Sequence, residues 1–272
     1  MGTDLVPARA TLEAAAGRAA DLLHSIAEGD LPVKGSDWTV GEVGAHLVFG
    51  LQGFTQAVAG SFDAVSPYIP DTEVFRDRLT AVTAGTLELI PERSPSVLAE
   101  LVVDAAQTFL ATTAGWSPDE VIRTPWYGSQ AALSLGAATA LLAGEQIIHG
   151  YDIAQSVGHR WPISTGDALA ALPLAMIPLA VNPATARGHT ASYEFRIRGG
   201  PRFVVRFRDG VAAVEPVGSQ AIDCYLVADP VDLLLVVYGR IGQWGPIARG
   251  RLLAWGRKPW LGLKFKNLFV NP

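Results

Sequence analysis

"GEQIIHGYDIAQSVG", residues 144–158, sits past the middle of a 272-residue chain, and the rest of the sequence is read outward from it. Three polar side chains, Glu145, His149 and Asp152, fall on what the Ala- and Leu-rich surroundings predict to be one long helix over 130–157, ended by Gly158. A spacing of four stacks Glu145 and His149 on one face, and Asp152, three further on, lies near that face. A carboxylate and an imidazole together suit zinc or another divalent metal, but two ligands are too few. The best third candidate is His46 in "VGAHLVFG", inside a second helix that the Thr39/Glu42 capping box predicts to begin near Val40. Flanked by Val43, Leu47 and Val48, His46 would face a bundle interior and complete a two-His, one-Glu set. Such a set leaves one position open for water or a ligand, as a catalytic zinc site requires. Packing accounts for the same residues too. An E-x-x-x-H spacing arises by chance, and a lone histidine in an apolar helix is commonly a satisfied core residue. Asp152 reads either as a support that orients a histidine N–H or as a buried hydrogen-bonding group with no metal nearby.

Around these stretches the first 160 residues read as a bundle of about four helices. Helical spacing covers 7–28, then the segment opened by Thr39, then 72–90 and 95–114 as two helices or one interrupted at Pro91–Pro95. "GWSPDEVIRTPWYGSQ" is expected to be a loop. After His159 the pattern changes. Residues 161–189 are Pro-punctuated and apolar, a linker with some helix. "ASYEFRIRGGPRFVVRFRDGVAAVEPV" alternates apolar and polar residues around Gly199-Gly200 and Asp209-Gly210, which predicts a three-stranded antiparallel meander. "AIDCYLVA" adds a strand, Asp229-Pro230 starts a short apolar helix to Tyr238, and the C-terminus offers a last strand and helix. The expected architecture is therefore a helical domain over 1–160, the linker over 161–189, and a small antiparallel-sheet α+β domain over 190–272.

With 49% hydrophobic and 17% charged residues the chain is globular rather than disordered. A net charge of −5 gives no reason to expect nucleic acid or an anionic membrane as partner. A single cysteine, Cys224, excludes an internal disulfide and a cysteine-cluster metal site and fits a reducing cytoplasm. The N-terminus lacks the basic start and apolar core of a signal peptide. "ALAALPLAMIPLAVNP" is too short and too broken by prolines to span a membrane.

"DWTVGEVGAHLVFG", followed about 100 residues later by "GEQIIHGYDIAQSVG", resembles the two signature helices of the DinB-like metalloprotein superfamily. More closely, the chain is similar to the mycothiol-dependent maleylpyruvate isomerase branch. In that branch a helical metal-binding domain precedes a domain related to sterol carrier proteins. "DCYLVADPVDLLLVVYGR" and "GRLLAWGRKPWLGLKFKNLF" look like the second domain, so the resemblance covers nearly the whole chain. It implies a DinB-like four-helix bundle followed by a sterol-carrier-like domain, with zinc ligands falling on His46, Glu145 and His149. Asp152 then becomes a support for the site. It also implies an important arginine after an apolar helix, matched by Arg240 in "VVYGRIGQW". The planar fork of Arg240 would clamp a carboxylate of substrate or thiol cofactor; a helix C-terminal cap or an ion pair is the plainer role.

The implied activity is a zinc-dependent, mycothiol-using enzyme. The open metal position would bind the thiol and hold it as thiolate for attack on an electrophilic small molecule. An isomerase would add the sulfur and release it after rotation; an S-transferase would leave it on the product. The electrophile's pocket is expected at the domain interface, with Trp126, Tyr127 and Trp161 as possible lining. Cys224 sits in an apolar strand and reads as inert. Arg249, Arg251, Arg257, Lys258, Lys264 and Lys266 read as a solvated face or as an anion-recognising surface. Two other classes compete: an apolar-ligand or lipid-binding protein with "PWLGLKFKNLF" as an amphipathic lid, and a metal-dependent hydrolase that needs no thiol.

Overall fold

The computed structural model describes residues 5–270, which fall into two compact units, one ending at Ile163 and one beginning at Ser164. In the first unit, α1 (Leu5–His24), α2 (Val40–Val58), α3 (Phe75–Leu89) and α4 (Pro95–Thr112) precede a small hairpin, β1 (Val121–Arg123) and β2 (Ala132–Ser134), and the long α5 (Leu135–Val157). α1 packs on α4 and α5, α2 packs on the same two helices, and α3 lies against α2. The bundle is therefore α1, α2, α4 and α5, with α3 alongside. Its core holds Leu12, Leu23, Leu47, Leu51, Leu98, Phe109, Leu135 and Leu142, all fully buried. α2 and α4 approach closely because Gly44 has no side chain; a Cβ there would stand 3.0 Å from Leu98 Cδ1.

Local chemistry sets the helix ends that matter for the site. Thr39 Oγ1 accepts from the Glu42 N–H at 3.3 Å, and Glu42 Oε2 accepts from the Thr39 N–H at 2.7 Å. Two otherwise orphaned donors are thereby satisfied, so α2 starts at Val40 as the capping box predicts. α5 ends where Gly158 turns left-handed, φ +73°. It begins later than the sequence predicts, at Leu135 with Ser134 as cap, because residues 132–134 pair with 121–123. Part of the loop expected before α5 is thus a hairpin, whose three-residue strands are too short to show an alternation.

The second unit opens with α6 (Thr165–Ala170) and α7 (Pro183–Ala186). The strands are β3 (Ala191–Ile197), β4 (Arg202–Arg208), β5 (Val211–Glu215), β6 (Cys224–Ala228) and β7 (Leu252–Trp255). Between the last two lie α8 (Pro230–Val237) and α9 (Trp244–Ala248), and α10 (Trp260–Lys264) follows. The sheet order is β5-β4-β3-β6-β7. The expected meander is β3-β4-β5; the β6–β7 pair is also antiparallel, while β6 joins β3 in parallel. One sheet face carries the core: Tyr193, Phe195, Phe203, Val205, Phe207 and Cys224, with Leu169, Leu233, Leu261, Phe265 and Phe269 packed against it. On β3 the alternate residue Glu194 is buried and accepts from Arg196 Nε at 2.8 Å and Arg202 Nη2 at 2.7 Å. No helix among the described residues is long and apolar enough to cross a membrane.

Candidate metal centre

α5 delivers Glu145 and His149 one turn apart, and α2, packed beside it, delivers His46. Glu145 Oε2 stands 3.4 Å from His46 Nε2 and 3.3 Å from His149 Nε2. All three ligand atoms lie within 4.8 Å of one another. On the far side of His149, Asp152 Oδ2 is 3.4 Å from Nδ1. The four polar residues of the sequence argument are thus gathered at one place. Their side chains are mostly covered yet reachable, from 11% exposed at Asp152 to 26% at Glu145.

The electrostatics follow from that packing. Burial opposes ionisation of Glu145, but hydrogen bonds from His149 and His46, with their charges, overcome it and hold the carboxyl well below the usual range. Burial likewise opposes charging of His149, yet the bonds to Asp152 and Glu145 win and push its pKa up to about 9. His46 has no such second carboxylate. Burial dominates there and lowers its pKa. Its Nδ1 is buried without a hydrogen-bond partner among the described residues.

Donors about 2.1 Å from a tetrahedral zinc stand roughly 3.4 Å apart. The two nitrogen-to-oxygen distances here, 3.4 and 3.3 Å, match that separation. Two imidazole nitrogens and one carboxylate oxygen also form a donor set of the kind that borderline metals take. The residues therefore fit a zinc-sized divalent ion.

A family described as the mycothiol maleylpyruvate isomerase N-terminal domain matches residues 12–154, more than half of the chain. The chain belongs to this family. Its fold agrees: the crystal structure of the mycothiol-dependent maleylpyruvate isomerase is similar with a TM-score of 0.53 at 11% identity, covering 93% of this chain and 95% of that one. A histidine-to-alanine mutant of that isomerase gives a TM-score of 0.52 over the same shares, also at 11% identity. At such identity the likeness is one of fold. No curated protein matches the chain.

The other residues named from sequence fall as follows. Arg240 belongs to the second unit, just beyond α8, where its backbone N–H donates to Leu235 O at 2.8 Å and its Nη1 to Tyr238 O at 2.6 Å. Trp126 is buried against Phe54, ring centroids 5.2 Å apart. Tyr127 packs on Phe75; burial, then the charge of Glu145, push its hydroxyl pKa up, which keeps it a donor. Trp161 lies over Gly150, the residue after His149. Cys224 is fully buried in the second core, and burial raises its thiol pKa. Three of the C-terminal cations serve structural ion pairs: Arg249 and Arg251 reach buried Asp232 at 3.6 and 3.3 Å, and Lys258 reaches Asp223 at 3.0 Å.

One residue at the site escapes sequence reasoning. Trp38, directly before the cap of α2, places its indole 5.1 Å from the His46 ring and 6.4 Å from the His149 ring, centroid to centroid. No spacing rule points to it. The only signal is an aromatic adjoining a capped helix that carries a candidate ligand.

Proposed function

We propose that this chain is a metal- and thiol-dependent enzyme, an isomerase or S-transferase that uses mycothiol and holds its metal on His46, Glu145 and His149. The observation that carries this reading is the convergence of His46 Nε2 and His149 Nε2 on Glu145 Oε2. Membership of an isomerase family named for mycothiol supports the thiol and the isomerase. Zinc is the first choice of ion, from the donor set.

A bound zinc would supply a Lewis acid that lowers the pKa of a coordinated thiol. The protein's own groups do the rest. Glu145 is ionised at neutral pH and brings the site's one ligand charge. Asp152 accepts the Nδ1–H of His149, which leaves Nε2 as the free lone pair pointing toward Glu145. Before a metal can bind, His149 must lose the proton that Asp152 and Glu145 favour. In this reading Arg240 clamps a carboxylate of substrate or thiol through two parallel N–H donors. The small-molecule electrophile is the other partner. The lack of any disulfide, with Cys224 the one cysteine, supports a reducing cytoplasmic setting.

Metal content and thiol titration of the purified chain test the proposal. Wild type is expected to hold one zinc per chain, and His46→Ala and Glu145→Gln to lose it. Mycothiol at a hundred times its Kd should stabilise the zinc-loaded protein by about 2.7 kcal/mol, roughly 5–10 °C in melting temperature. A metal-free wild type with a cooperative melt refutes the metal centre. A zinc-loaded protein indifferent to millimolar mycothiol refutes the thiol.

A further inference from the structure

The two histidines of the centre are held by different means. His149 has a carboxylate behind it, Asp152 Oδ2 at 3.4 Å from Nδ1. His46 has none: its Nδ1 is buried and finds no hydrogen-bond partner among the described residues. Metal-binding histidines usually donate that second nitrogen to a carboxylate or carbonyl, which fixes ring plane and tautomer. For His46 something else must set the ring. The group in place is the indole of Trp38, 5.1 Å away and tilted by 53°. The same indole runs nearly parallel to the His149 ring, 26° at 6.4 Å, while the two imidazoles meet edge to face at 5.0 Å. Three rings therefore form one packed set, and aromatic pairs have preferred geometries that resist rotation.

The backbone that carries the indole is tied down at several points. The segment carrying it closes through a bridge between Pro32 and Thr39 and a bond from the Val33 N–H to Trp38 O at 2.8 Å. Ser36 Oγ accepts the Trp38 N–H at 3.1 Å. Thr39 is the α2 cap, so one end of the segment is fixed to the helix that bears His46. Further back, the Lys34 N–H donates to Ser156 Oγ at 2.8 Å, and that hydroxyl donates to Asp152 O at 2.8 Å. The segment is thereby fastened to α5 as well, one turn past Asp152.

We propose that Trp38 is a positioning residue for the metal centre, doing for His46 by ring packing what Asp152 does for His149 by hydrogen bonding. This rests on the metal-binding reading above.

The test uses the full chain with Trp38→Phe and Trp38→Leu. Zinc affinity is read by chelator competition, ligand geometry from the visible spectrum of the cobalt-substituted protein, and the fold from the imidazole resonances of the metal-free protein. Trp38→Leu should weaken zinc binding about tenfold, at the lower end of what loss of a supporting partner costs, and should alter the cobalt spectrum. Trp38→Phe, which keeps a ring, should stay within about threefold of wild type on the same scale. In Trp38→Leu the signals of His46 and His149 should move, while those of His24, His159 and His189 stay in place and report an intact fold. A folded Trp38→Leu protein with wild-type zinc affinity and cobalt spectrum overturns the positioning role and leaves the metal centre standing. A wild type that takes up no zinc overturns the metal-binding reading and this inference with it.

Discussion

Gly150, one residue past His149 on α5, sits under the indole of Trp161. A Cβ at this position would stand 2.1 Å from Cζ2 and 2.4 Å from Cη2, where an ordinary contact begins at 3.4 Å. Gly150→Ala must therefore drive the indole back by roughly 1.3 Å, the difference between those separations. The ring has a neighbour on it: the Arg18 guanidinium lies 5.7 Å from its centroid. Overpacking a dense interior costs about 1–3 kcal/mol, and disturbing a partly covered cation–π contact adds about 0.5–1 kcal/mol. Replacing helical glycine by alanine returns about 1 kcal/mol through backbone entropy. The expected net is a loss of about 0.5–3 kcal/mol. Gly17 on α1 is the internal control, since its added Cβ would meet nothing within 4 Å. There only the entropy remains, and Gly17→Ala should stabilise by up to about 1 kcal/mol. Urea unfolding followed by far-ultraviolet circular dichroism gives both values against wild type. If Gly150→Ala proves as stable as wild type, the close packing of Trp161 on α5 is refuted; if both variants shift the same way, the steric argument fails.

Asp152→Asn should lower zinc affinity about 10- to 100-fold while keeping the fold, measured by chelator competition. In the metal-free protein His149 titrates at about 9 against an ordinary 6.5, so its protonation stabilises the fold fully below about 6.5 and is lost as pH rises toward 9. A melting-temperature profile should show that decline, and in Asp152→Asn it should be smaller and end at lower pH, because only the folded-state pKa falls; superimposable profiles would mean that Asp152 does not hold the His149 proton. In the second unit, Glu194→Ala strips a buried carboxylate from two arginines and should cost about 1–3 kcal/mol. Arg202→Ala, which removes a half-exposed partner, should cost under about 1 kcal/mol in the same denaturation assay. Equal costs would mean that burial does not govern this pair.

Where a residue acts on its own neighbours, the sequence declares it. Thr39 and Glu42 announce the start of α2, Gly158 the end of α5, and Asp209-Gly210 the turn between β4 and β5. Glu145 and His149 share a face for the same reason, helical period alone. What depends on distant partners is not declared. The β1–β2 hairpin takes residues from the predicted N-terminal turn of α5, and the parallel β3–β6 pairing joins strands separated by two others in sequence. His46 needed an apolar flank and a family resemblance to be set beside Glu145, because nothing in "VGAHLVFG" says which helix it will face. Trp38 shows the limit most clearly: its stacking on His149 exists only once α2 and α5 have packed.

The candidate ligands come from two helices, with α5 giving two and α2 one. Coordination tolerates errors of about 0.2 Å in ligand distance, whereas adjacent residues on a helix differ by about 1.5 Å along its axis. The mutual alignment of α2 and α5 must consequently be kept far more finely than the fold itself requires. A conservative swap at buried Leu142, whose Cδ2 lies 3.9 Å from where a Cβ on Gly50 of α2 would stand, should degrade ion capture well before it depresses the melting temperature. On the metal-binding reading proposed above, the bundle interior works as a calibrated spacer, with metal retention as its most sensitive gauge.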